Sequence, residues 1–170
     1  MSRLKNRVLA ALATRFPALA KRFTDAYESQ QSTGAVPWVA PSKPLRASRL
    51  ALVTTAGIHH KDQEPFNMSD SDGDPSYREL DGATLFDDFT ITHDYYDHSD
   101  ARKDPNVVLP LNRLQELVDE GSIGSLARKH YALMGHIDGP HINTLINKTA
   151  HEIVTGLKKE EVDLVLLTPA

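Results

Sequence analysis

The chain has 170 residues and 18.8 kDa, with 40% hydrophobic and 25% charged side chains and no cysteine. That composition fits one globular domain able to bury about two-thirds of its unfolded surface, neither disordered nor membrane-spanning. The missing cysteine excludes disulfides, thiolate metal sites, iron–sulfur clusters and a cysteine nucleophile from these residues, and the net charge of −4 is unevenly spread. Residues 1–50 hold nine bases and two acids (+7), and residues 51–170 hold ten bases and twenty-one acids (−11). The bases come singly and without interleaved aromatics, so a contact within the chain or between subunits accounts for them better than nucleic acid. Val8 to Ala13 is too short for a secretory apolar region and no run reaches the length of a membrane span, so the expected location is cytoplasmic.

Taken in chain order, Leu4, Val8 and Leu12 recur at helical spacing, and Leu19, Phe23 and Tyr27 do the same beyond Pro17. Proline inside a helix disrupts it, so two short helices are predicted. Residues 29–48, with three prolines around Trp38, read as an irregular connection. Residues 1–47 are thus a basic helical arm with a Pro-rich connection, and 48–170 an α/β domain. Leu50-Ala-Leu-Val-Thr-Thr55, closing at Ala56-Gly57, has the continuous apolar character of a buried parallel strand. Residues 58–76 read as a polar loop, Phe89-Thr-Ile-Thr92 as a second strand, and 93–110 as another loop. Leu111, Leu114, Leu117 and Val118 mark a helix ended by Gly121, and Ile142 to Leu157 outline a longer one over about 141–158. Val162 to Leu167 closes the chain as an apolar strand. The alternation predicts an open, mainly parallel sheet with flanking helices and an N-terminal helical arm. Ligands of such sheets gather beyond the carboxyl ends of the strands, here Thr54–Gly57, Thr92–His93 and Thr168–Ala170.

Eight histidines are the main chemical signal. His93-Asp94-Tyr95-Tyr96-Asp97-His98 puts two imidazoles and two carboxylates beside a predicted strand end, and His136-Ile-Asp-Gly-Pro-His141 is a second grouping. Imidazole with carboxylate serves either metal binding or acid–base chemistry. Neither spacing is a metal signature, so no metal ligand is assigned and a metal-dependent hydrolase remains an alternative. Asp70, Asp72 and Asp74 resemble the start of a calcium loop, but Pro75 stands where glycine is needed, so a solvated turn is expected. Gly121-Ser-Ile-Gly-Ser125 follows a helix and lacks the lysine of a phosphate loop.

Several stretches, in order over roughly 48–170, resemble the selenoprotein B subunits of glycine/sarcosine/betaine reductase and of D-proline reductase. They are Ala51-Leu-Val-Thr-Thr-Ala-Gly57, Asp74-Pro-Ser-Tyr-Arg-Glu-Leu80, Thr92-His-Asp-Tyr-Tyr-Asp97, Asp104-Pro-Asn-Val-Val-Leu-Pro110, Gly121-Ser-Ile-Gly-Ser-Leu126, His130-Tyr-Ala-Leu-Met-Gly135 and Asp163-Leu-Val-Leu-Leu-Thr-Pro169. Ser125 to Gly135 is nearer the D-proline branch. The resemblance implies reductive cleavage of a carbon–nitrogen bond in a small amine or amino acid, with a pyruvoyl-bearing partner subunit and a dithiol donor, in a hetero-oligomer. It places a selenocysteine or cysteine, two residues, then cysteine, at the end of a strand like Val162–Leu167. The expectation is a chain cut at a UGA codon just after Ala170, leaving no cofactor within it; a short paralogue acting as a non-catalytic scaffold is the alternative. His93, Asp94, Tyr96, His130 and Tyr131 fall in the family-like stretches, and the resemblance makes them the candidate catalytic residues, expected to converge near Pro169.

Overall fold

The computed structural model describes residues 3–16, 18, 21, 39–84 and 86–170. The expected helix around Leu19, Phe23 and Tyr27, and the connection at Trp38, lie outside them. Helix α1 is Arg3–Arg15. The body follows as β1 (Arg49–Thr54), β2 (Ile58–His60), β3 (Tyr77–Asp81), β4 (Phe89–Ile91), α2 (Ser99–Lys103), α3 (Leu111–Asp119), β5 (Ser125–Leu126) and β6 (Lys129–Leu133). It ends with α4 (His141–Thr144), which runs through a π-turn at Leu145–Thr149 into α5 (Ala150–Lys159), and then β7 (Leu164–Thr168).

Strand β1 is the centre of the sheet. It pairs in parallel with β7 along Leu50–Thr54 on one edge, and with β5 then β6 on the other. β3 lies antiparallel against β6. Both faces are covered, which is why Leu50 to Thr54 carry no polar alternation. On one face Leu50 and Leu52 pack with Leu111 and Leu114 of α3; on the other Ala51, Val53 and Tyr131 pack with Ile153 and Leu157 of α5. Burying such aliphatic side chains contributes roughly 1.5–3 kcal/mol each.

The predicted helices at 111–120 and 141–158 and the closing strand are present. Gly121, at φ +75, ends α3 as the periodicity required: its N–H reaches the Val118 carbonyl, and the Ser122 N–H reaches that of Leu117. That double bond satisfies the last helical carbonyls. The strand at Phe89 forms, but in a separate antiparallel ribbon with β2, inside what reads in sequence as a loop. β3, β5 and β6 carry little alternation of their own and owe their extended form to pairing with neighbours. The Asp70–Asp74 turn and the His136–His141 segment, two separate motifs in sequence, close on each other through a bridge between Gly73 and Ile137 and the Asp138 N–H to Asp72.

Between Leu50↔Leu126 and Val53↔Tyr131, three steps along β1 face five along its partner, so Ala127–Arg128 form a bulge. A bulge leaves ladder groups of the facing strand without partners. His130 supplies the missing acceptor, its Nδ1 taking the Leu52 N–H at 3.0 Å.

Candidate active site at the carboxyl edge

Thr54 to Gly57, the turn at Met134–Gly135, residues 92–98 and Thr168–Ala170 meet where β1, β6 and β7 end. Thr54 and Thr168, paired across β1 and β7, both donate from Oγ1 to the Val108 carbonyl, at 2.9 and 3.1 Å. The Thr55 N–H bonds the Thr168 carbonyl at 3.1 Å, and Thr55 Oγ1 accepts the Ala170 N–H at 3.2 Å. The strand ends are thereby tied to one another and to the loop before α3.

His93 stands at this edge, 5% exposed. Its Nδ1 accepts the Tyr95 N–H at 3.0 Å, so the neutral ring carries its proton on Nε2. Two glycines at positive φ make room for it. A Cβ on Gly57 (φ +64) would lie 3.0 Å from the His93 Cβ and 2.6 Å from the Thr92 carbonyl. A Cβ on Gly135 (φ +92) would collide with the Thr55 carbonyl and reach 3.4 Å from His93 Nε2. Burial, reinforced by His98 and His136 and opposed by Asp94, lowers the His93 pKa to about 4. Tyr96 packs edge-on to His93 at 4.9 Å between ring centres and donates its hydroxyl proton to the Ala56 carbonyl at 3.0 Å. Burial pushes that phenol far above its ordinary value, so it stays protonated. His98 packs on Tyr96 at 4.4 Å, Tyr95 packs on His136 at 4.3 Å, and Asp94 is buried beside them.

The edge therefore brings together His93, Asp94 and Tyr96, and Gly135, which lies against both Thr55 and His93, joins them to the strand end that Thr55 ties to Ala170. The other two expected residues go elsewhere. His130 is fully buried within the β1–β6 ladder, its Nε2 facing Gly82 without a hydrogen-bond partner. Burial lowers it, too, to about 4. Tyr131 belongs to the α5 face of the core, its hydroxyl unpartnered and pressed on Gly156; burial raises its pKa to about 12. These two neighbours in sequence thus point into the fold's interior and do not join the convergence expected near Pro169. The edge also contains Thr55 and Gly57 of the first strand end, Gly135, and His136 of the second His/Asp grouping, none of which was among the five candidate catalytic residues. The signal for the glycines was their place just after apolar strands.

Among the described residues, no group of three or more His, Cys, Asp or Glu side chains is arranged to hold a metal ion. No helix among them is long and apolar enough to cross a membrane.

In open α/β sheets ligands bind in the crevice beyond the carboxyl ends of the strands, and the buried His93 stands at that edge here. The chain belongs to the glycine/sarcosine/betaine reductase selenoprotein B family, whose profile matches residues 6–170. It is 37% identical over 131 residues to the D-proline reductase subunit gamma of Acetoanaerobium sticklandii, covering 77% of this chain and 52% of that one. It is 34% identical over 146 residues to the glycine reductase complex component B subunit gamma of Symbiobacterium thermophilum, covering 78% and 31%. To the betaine reductase complex component B subunit beta of Peptoclostridium acidaminophilum it is 30% identical over 131 residues, covering 76% and 29%. The chain spans about half the length of the first relative and about a third of the others. No solved structure matches it.

Proposed function

We propose that the carboxyl edge is the substrate-facing wall of a reductase centre that cleaves a carbon–nitrogen bond in a small amine or amino acid, within a complex containing a pyruvoyl-bearing partner. The cleavage takes two electrons and two protons: carbon gains one hydrogen, nitrogen leaves with the other, and a dithiol becomes a disulfide. The chain has no cysteine, so the selenol or thiol that attacks the carbon is supplied from outside these 170 residues. The single observation that supports the reading is His93, held with its Nε2 proton toward Gly135 at the end of β6.

With a pKa near 4, His93 is neutral at physiological pH. It therefore acts as a hydrogen-bond donor to a departing nitrogen or a carboxylate oxygen, and not as a cationic acid. Tyr96, fixed on Ala56, walls the ring in and keeps water from it. The assembled reductase, purified from its host with this chain tagged, is offered D-proline, glycine, sarcosine and betaine with dithiothreitol, and the deaminated or ring-opened product is followed by mass spectrometry. One of the four is turned over with one dithiol oxidised per bond broken, and His93→Gln lowers kcat by about 100-fold while costing about 1 kcal/mol of stability or less. Full turnover in the variant removes His93 from the site, and dithiol-independent turnover removes the reductase reading. The absence of cysteine favours, as a second reading, a scaffold subunit whose loss abolishes assembly and whose edge substitutions leave kcat unchanged.

A further inference from the structure

The two lateral edges of the sheet are built differently. β3 (Tyr77-Arg-Glu-Leu-Asp81) closes one side, with Glu79 paired to Lys129 at 2.6 Å and Asp81 to Arg128 at 3.2 Å. Charged side chains of that kind protect an edge from further pairing. β7 (Leu164-Val-Leu-Leu-Thr168) closes the other side without a charge, and among the described residues it pairs with β1 alone. Its apolar run matches that of β1, yet Leu50 to Thr54 are buried whereas Val165, Leu166 and Leu167 are 41%, 38% and 70% exposed. Alternate residues of a strand face opposite sides, so Val165 and Leu167 open one face and Leu166 the other. A continuous apolar run suits a parallel strand covered on both faces, as β1 is. The backbone is equally unfinished. The Asp163 N–H bonds the Arg49 carbonyl at 2.9 Å, so in the parallel ladder Val165 and Leu167 turn their N–H and C=O to β1, while those of Leu164 and Leu166 point outward.

From the bare edge and the bare faces together we infer that β7 is an interior strand of a larger sheet. Its outer edge takes a parallel strand, and the face of Leu167 takes the helix connected to that strand, as one strand–helix unit. The unit belongs to polypeptide that the longer family subunits carry and these 170 residues do not. Its source has ample length, since this chain spans about half of one relative and about a third of two others. A second copy pairing β7 against β7 satisfies the outward N–H and C=O groups but leaves Val165 and Leu167 of both chains in water. Parallel strands are joined by crossovers that lay a helix on the sheet, which covers edge and face together. The added strand runs beside β7 and ends at the carboxyl edge, extending the wall that Thr55 and Thr168 begin. The interface stands whether or not His93 serves catalysis.

Amide hydrogen exchange tests it on two samples, the chain alone and the same chain tagged and purified from its host in its assembled complex. Alone, the Leu164 and Leu166 amides exchange about 100-fold faster than those of Val165 and Leu167; in the complex all four are slow. Because the chain has no cysteine, Leu167→Cys carries a single photo-crosslinker. In the complex it joins a peptide outside residues 1–170, one that aligns with the part of the D-proline reductase subunit gamma left unmatched by this chain. Leu167→Asp leaves the thermal midpoint of the chain alone unchanged, since the side chain is mostly exposed there, and lowers recovery of the complex about tenfold. Leu164 and Leu166 amides that stay fast in the complex overturn the inference. A cross-link to a second copy of β7, or to another part of this chain, overturns it too by assigning the edge a different occupant.

Discussion

His93 and His130 are chemically alike. Each is buried, each has its Nδ1 occupied by a backbone N–H, each is held neutral with a pKa near 4, and each turns its Nε2 toward a glycine, Gly135 or Gly82. They differ in what surrounds the free nitrogen. Around His93 are strand ends, aromatic rings and the backbone of the carboxyl edge; around His130 are a sheet ladder and a turn. Perturbed histidines mark functional sites and structural plugs alike, and position in the sheet distinguishes them. A bulge needs an acceptor, and an imidazole supplies it; a catalytic edge needs an imidazole that a substrate can reach.

The largest effect that sharpens this comparison is acid destabilisation. Both histidines have folded pKa values below the unfolded 6.5, so the unfolded chain takes up protons first as pH falls. Stability is full above pH 6.5 and falls as pH drops toward 4, by about 3 kcal/mol for each ring. Urea midpoints at pH 7.5 and pH 5 measure it, and a flat profile contradicts the burial of both. His130→Ala comes next, at about 3 kcal/mol at neutral pH, because it leaves the Leu52 N–H unpaired and opens a cavity. His130→Asn, with a side-chain oxygen near the same place, recovers part of it in equilibrium urea unfolding. Equal stability of the alanine variant and the parent breaks the plug assignment.

On the other side of the comparison, Gly135→Ala costs about 2 kcal/mol through its left-handed backbone and the clash with the Thr55 carbonyl. Its amide spectrum shows the disturbance centred on Thr55 and His93 and not on Leu52. His93→Gln, which keeps an acceptor for Tyr95, shifts the urea midpoint by about 1 kcal/mol or less, and its effect falls on turnover. Tyr131→Phe has the smallest effect. It removes a buried hydroxyl that has no partner, so stability rises by up to about 1 kcal/mol, and a fall of that size in thermal unfolding means the hydroxyl is bonded after all.

Periodicity made β1, α3, the long helix at 141–158 and β7 legible, because each follows from side chains a few residues apart. The His93–Tyr96 grouping was visible for the same reason. The fate of His130 and Tyr131 was not. Within one family-like stretch they read as companions of His93, yet their roles depend on Leu52 and Gly156, far away in the chain. Nor did the Asp70–Asp74 turn and the His136–His141 segment announce that they close on each other.

By itself, the sequence determined a doubly covered apolar strand at the centre, the helices that cover it, and the absence of cysteine from these 170 residues. Tertiary structure decided which buried histidine lies at the carboxyl ends of the strands and which is built into the sheet ladder. The reason is physical: hydrophobic period and capping are local, whereas an imidazole's tautomer, desolvation and neighbours are set by strands and turns that only pairing brings together.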